Sequence, residues 1–128
     1  MITKYSYKDL LFHVEDETNI NFSIEILNND NPTNSTPITG VYVIDTAINI
    51  PGDDDPEIED MGNANIGKGI IFRDYTLKTY TYLNFIEVRC ESIKVIFKLN
   101  GEIILEHIKP LSEMRRSKIM LAIKFPRS

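Results

Sequence analysis

Residues 93–108, IKVIFKLNGEIILEHI, place two alternating apolar runs on either side of Asn100-Gly101. An Asn-Gly pair in that setting is the strongest short-range signal for a β-hairpin. Two registers compete. A two-residue turn pairs Leu99 with Glu102 and Val95 with Glu106, which sets carboxylates on the face of Phe97 and Ile104. A three-residue loop shifts the pairing by one: Lys98 then faces Glu102, Lys94 faces Glu106, Phe97 faces Ile103 and Val95 faces Leu105. Cross-strand pairs of either kind contribute roughly 0.2–1 kcal/mol each, and a slip by one residue loses them together. The sequence therefore favours the three-residue loop, with a bulge and Gly101 at positive φ. This choice leaves Ile96 and Ile104 on the charged face, under the lysine stems or against a partner.

A hairpin needs further strands to bury its apolar face, and the chain supplies them. Leu10, Phe12 and Val14 alternate with Leu11, His13 and Glu15. A polar turn over 15–19 precedes Ile20, Phe22, Ile24 and Ile26, the clearest half-buried strand pattern in the chain. Residues 28–37, NNDNPTNSTP, read as a loop. Residues 41–50 return to strand alternation. Residues 51–69, PGDDDPEIEDMGNANIGKG, leave regular structure as a long acidic and glycine-rich loop. Residues 70–77 and 80–90 are rich in Thr, Tyr, Phe and Ile, and their combined length predicts a bend near Thr79 or Asn84. Residues 109–118 form a connection in which Ser112 can cap one helical turn. Ile119, Leu121, Ile123 and Phe125 form a closing strand. The expected architecture is all-β: one domain over 1–128, an antiparallel sandwich or short barrel of about seven or eight strands, with at most one short helix.

Composition supports that class. There are 20 isoleucines against three alanines, a balance that favours strands over long helices. A chain of 128 residues buries enough surface to fold without a disulfide or metal. Cys90 is the single cysteine, so no intramolecular disulfide forms, and it reads as a small apolar core residue. The first residues, MITKYSYKD, lack the apolar core of a signal peptide, and no run approaches the length of a membrane span. Cytoplasmic synthesis is the expectation.

Three constellations bear on chemistry. Residues 62–69, GNANIGKG, have the spacing of a phosphate-binding loop, but Gly69 stands where that motif needs a hydroxyl for magnesium. An acidic run precedes the segment and a strand-like run follows it, so it reads as a glycine loop. Asp53, Asp54, Asp55, Glu57, Glu59 and Asp60 are hard oxygen ligands, yet their spacing departs from the helix-loop-helix calcium site. Their mutual repulsion favours a solvated loop that meets a partner. His13 and His107 are far apart in sequence, with no third group to complete a catalytic or zinc site.

Charge is divided along the chain. Residues 1–92 carry 6 Lys/Arg and 16 Asp/Glu, a balance of −10, whereas residues 93–128 carry 8 and 3, a balance of +5. An acidic chain is a poor ligand for duplex nucleic acid, which needs several phosphate contacts. The reading is of a non-catalytic structural or assembly protein, as in a virion or secretion particle, whose partners are protein subunits. It implies no cofactor, metal, small-molecule substrate, nucleic acid or membrane. The contact residues expected are the six carboxylates above together with Arg115, Arg116 and Lys118. If the two sets lie at different ends of the domain, they join copies head to tail as a ring or stack. An inhibitor or immunity-type binding module using the acidic loop is the alternative.

Overall fold

A computed structural model describes residues 2–29, 40, 42–49, 57–60, 63–73 and 75–126. Its strands are β1 (Thr3–Leu11), β2 (Asn19–Asn28), β3 (Tyr42–Asn49), β4 (Glu57–Asp60), β5 (Asn63–Lys68), β6 (Thr76–Phe85), β7 (Ser92–Leu99), β8 (Glu102–Pro110) and β9 (Arg116–Lys124). A 3-10 turn spans Gly69–Phe72, and one helical turn, α1, spans Leu111–Met114. The strands form a five-stranded sheet in the order β1-β9-β6-β3-β4 and a four-stranded sheet in the order β5-β2-β7-β8. The fold is an all-β sandwich, and all its strand pairs among the described residues are antiparallel except β1 with β9.

The core lies between the sheets and follows strand alternation. Ile20, Phe22, Ile24 and Ile26 of β2 and Ile93, Val95, Phe97 and Leu99 of β7 point inward from one sheet. Ile44 and Ile48 of β3, Leu77, Leu83 and Phe85 of β6, and Ile119, Leu121 and Ile123 of β9 meet them from the other. Each fully buried side chain of this kind contributes roughly 1.5–3 kcal/mol. In β6 the inward positions also include Thr79 and Thr81, while Tyr80 and Tyr82 face outward. Thr81 is opposite Thr46 of β3, and their buried hydroxyls hydrogen-bond at 3.2 Å.

The hairpin of β7 and β8 departs from the favoured register. Leu99 pairs with Glu102 and Lys98 with Ile103, so the turn has two residues, not three. Both turn residues have positive φ, 51° at Asn100 and 81° at Gly101. This is the backbone that a two-residue hairpin needs to match strand twist. Asn100 is held further by β2: its N–H donates to Asn21 O at 2.9 Å, and its Oδ1 accepts from Asn21 N at 2.8 Å. The register then shifts between Phe97 and Lys98, so that Phe97 faces Leu105 and Val95 faces His107. Ile104 is the extra residue of that bulge, and it packs against the core instead of lying among the charges. The bulge corrects the register that the turn alone would impose. Ile96 does lie on the outer face, in line with Glu25 and Glu106, yet it is only 5% exposed. Lys98 of the same face reaches Glu25 at 3.0 Å.

Other expectations need correction. The first strand precedes the 10–15 run: β1 ends at Leu11, and Phe12 then turns into the core. The long Thr/Tyr run breaks at the 3-10 turn ahead of β6, while β6 continues through Thr79 and ends just past Asn84. The stretch expected as irregular contains β4 and the edge strand β5. In α1, Pro110 occupies the N-cap position and no side chain caps the turn, so Ser112 does not. Most of the 28–37 loop lies outside the described residues.

Candidate functional site

The outward face of the five-stranded sheet carries Arg116 and Lys118, two of the basic residues singled out from sequence. Register places Lys118 of β9 beside Lys4 of β1 on one side and Tyr82 of β6 on the other. Tyr82 is opposite Asp45 of β3, and Asp45 is opposite Asp60 of β4. One cross-strand row thus reads Lys4, Lys118, Tyr82, Asp45, Asp60. Two residues along, the parallel row reads Ser6, Met120, Tyr80, Ala47, Ile58.

These positions follow from a local inversion in β6. Its threonines occupy the inward places, so its tyrosines take the outward ones. The Lys118 ammonium lies 5.1 Å from the Tyr80 ring centroid and 5.6 Å from that of Tyr82. A cation over solvent-facing aromatic rings is worth about 0.5–1 kcal/mol, enough to order the lysine across the face. Tyr82 remains 43% exposed. A cleft of about 340 Å³ opens beside the row, with Ile2, Asp45, Tyr82 and Arg116 in its wall. The face is suited to holding a surface that offers carboxylates and apolar groups together.

The structure brings some of the expected contact residues together and not others. Arg116 and Lys118 are on β9; Arg115 is the exposed residue that links α1 to it, its carbonyl accepting from Phe85 N at 3.0 Å. Glu57, Glu59 and Asp60 are in β4, on the same sheet. Three strand spacings separate β4 from β9, roughly 14 Å, which exceeds the screening length of about 8–10 Å. Glu57, Glu59 and Asp60 therefore share one sheet with Arg116 and Lys118, three strand spacings away, and do not lie at the opposite end of the domain. Asp53, Asp54 and Asp55 lie outside the described residues. Sequence reasoning missed Tyr80, Tyr82 and Asp45, because only the register reveals that the tyrosines lie beside Lys118 and that Asp45 continues the same row two strands away.

The glycine-rich stretch is not a phosphate cradle. From Asn63 to Lys68 it is β5, paired with β2. Gly67 N donates to Asn65 Oδ1 at 3.1 Å, and Lys68 is paired with Glu17 at 3.0 Å. Gly69 packs so closely that a Cβ there would sit 2.5 Å from Glu15 O.

The histidines are not brought together. His13 is exposed on the β1–β2 connection, and His107 of β8 is buried against β1. His107 Nδ1 shares a hydrogen bond with the Tyr7 hydroxyl, and the Tyr5 ring meets the imidazole edge-on at 4.3 Å. Burial, with a smaller push from Lys109, lowers the His107 pKa to about 4. Burial and the neighbouring Tyr5 raise that of Tyr7. The pair joins the edge strands of the two sheets, and its setting of tyrosines and a lysine disfavours the charged imidazole that a general base must form. Cys90 is half-buried and packs against the core.

Among the described residues, no three His, Cys, Asp or Glu side chains come together to hold a metal. Among them also, no helix is long and apolar enough to cross a membrane. Comparison with protein-family models, with curated proteins and with solved structures finds no match for this chain.

Proposed function

We propose that the protein is a non-catalytic assembly domain, a β-sandwich that contacts protein subunits through the outward face of its five-stranded sheet. The observation that supports this most is the row through Tyr82, where a lysine laid over two tyrosines stands two strands from an exposed aspartate. Such a face combines aromatic anchors with charges that set orientation, as protein interfaces do. A virion or a secretion particle is the kind of assembly in which a small sandwich with this face serves.

Sedimentation velocity and light scattering over a range of concentrations test the reading. Association that strengthens with concentration and weakens with salt supports it. A concentration-independent monomer at low and high salt overturns self-assembly. The inhibitor or immunity-type alternative, which would use Glu57, Glu59 and Asp60 against a basic partner, then becomes the better reading.

A further inference from the structure

The assembly reading leaves open which surface meets this face and with what symmetry. We infer that the partner is a second copy of the same face, related by a two-fold axis that lies in the interface and runs along β6. This inference rests on the assembly reading and adds the partner and the symmetry.

The charges along the Tyr82 row are antisymmetric. Two lysines, Lys4 and Lys118, lie on one side of Tyr82, and two aspartate positions, Asp45 and Asp60, lie on the other. Rotation by half a turn about β6 exchanges β9 with β3 and β1 with β4. Lys118 of each copy then stands over Asp45 of the other, the Lys4 position stands over the Asp60 position, and Tyr82 meets its own counterpart. The neighbouring row obeys the same operation: Met120 meets Ala47, and Tyr80 meets Tyr80. The interface therefore sets Lys118 against Asp45 twice beside an apolar seam, with the Lys4 and Asp60 positions in register, and it carries one like-charge contact on the axis, Lys78 with Lys78.

No other simple stacking does this. An axis across the strands sets each strand over itself, which opposes β9 to β9 and β3 to β3 and brings like charges together. A head-to-tail contact uses each charge set once and leaves the other half of the face unmatched. Aligned sheets pack at about 30° to one another, which displaces the β3 and β9 positions by roughly 3 Å, within a lysine's reach. Four strands of 8 to 10 residues and the four-residue β4, about 4.8 Å apart and rising about 3.3 Å per residue, offer roughly 640 Å² per copy, within the roughly 600–1,000 Å² that each partner buries in a standard stable interface.

Charge-swap variants of the full chain, read by sedimentation equilibrium, test the symmetry. Asp45→Lys alone sets the new ammonium against Lys118 of the other copy, twice over. Lys118→Asp alone sets two carboxylates together, also twice. Each single variant is expected to raise the dimer dissociation constant about tenfold or more, most strongly at low salt. An equimolar mixture of the two singles, and the double variant D45K/K118D, are expected to return to within about threefold of the parent. Far-UV circular dichroism and the thermal midpoint establish that each variant is folded. An oligomer that both single variants leave intact overturns the two-fold inference while leaving the assembly reading in place. A parent that stays monomeric overturns both. Weakening of the singles without rescue in the mixture also overturns the proposed pairing.

Discussion

Arg73 Nε donates to Asp16 Oδ1 at 2.6 Å, although the arginine side chain is only 4% exposed and the aspartate is half open to water. The same guanidinium donates to Pro126 O at 3.0 Å and to Val14 O. One buried cation thus holds three segments: the β1–β2 connection, the turn before β6 and the chain just past β9. Arg73→Ala should destabilise the fold by about 3 kcal/mol or more, because two carbonyls and a carboxylate lose their partner together. Asp16→Asn should cost about 1 kcal/mol, since the carbonyl contacts persist. Urea unfolding midpoints, read by circular dichroism, compare the two.

His107 should make stability fall on acidification. An unfolded imidazole takes up its proton near pH 6.5, while the folded one resists until about pH 4. Between those values the unfolded state binds more protons, so stability is full above about pH 6.5 and declines down to about pH 4. The loss from this group, discounted for solvent screening, is on the order of 2–3 kcal/mol. His107→Phe should be less stable at neutral pH, because Tyr7 loses its partner, but its stability should change less across that window. Chemical unfolding at half-unit pH steps checks both statements.

Two glycines should tolerate alanine to different degrees. At Gly101 the φ of 81° is unfavourable for alanine, but a Cβ there would meet nothing within 4 Å. Gly101→Ala should therefore cost about 1 kcal/mol. Gly69→Ala forces its Cβ towards Glu15 O and the Val14 side chain, and should cost at least about 2 kcal/mol. Equal thermal midpoints for the two variants would contradict the packing described at Gly69.

Ile96 and Ile103 both face outward on the four-stranded sheet, but one is covered and the other is 53% exposed. Ile96→Ala should destabilise by roughly 2 kcal/mol or more, by removing apolar surface that the neighbouring side chains shield. Ile103→Ser should stay within about 0.5 kcal/mol of the parent. Guanidinium unfolding of both variants distinguishes a sealed outer-face residue from an open one.

Much of the fold was legible because alternation reports burial directly. Ile20 to Ile26 and Ile119 to Phe125 read as half-buried strands and lie in the core. The hairpin was legible as a hairpin but not in register. Pattern alone weighed one uniform pairing against another, whereas the chain combines a two-residue turn with a bulge at Ile104. In β6 the hydrophobicity signal is weak, since Thr79 and Thr81 are buried and Tyr80 and Tyr82 are not. Thr81 is accommodated by the hydroxyl of Thr46 across the strand, whereas the Thr79 hydroxyl is buried without a hydrogen-bond partner among the described residues; both are tertiary effects that residue type does not carry. The same inversion concealed the candidate site. Lys118 was visible as a charge, but Tyr82 beside it and Asp45 one strand further along the row come from positions 36 and 73 residues earlier in the chain.

The parallel pairing of β1 with β9 has a kinetic side. β9 occupies the place between β1 and β6, so β1 has no sheet neighbour until β9, the last of the described strands in chain order, has been made. Half of the sandwich can collapse early, since β2, β7 and β8 need only each other and β5. The five-stranded sheet cannot close in the order of synthesis. Its assembly waits on a contact of very high sequence separation, which slows folding and leaves the β1 and β6 edges unpaired in the meantime. Conditions that protect those two edges during synthesis should therefore raise the yield of folded protein without altering its final stability.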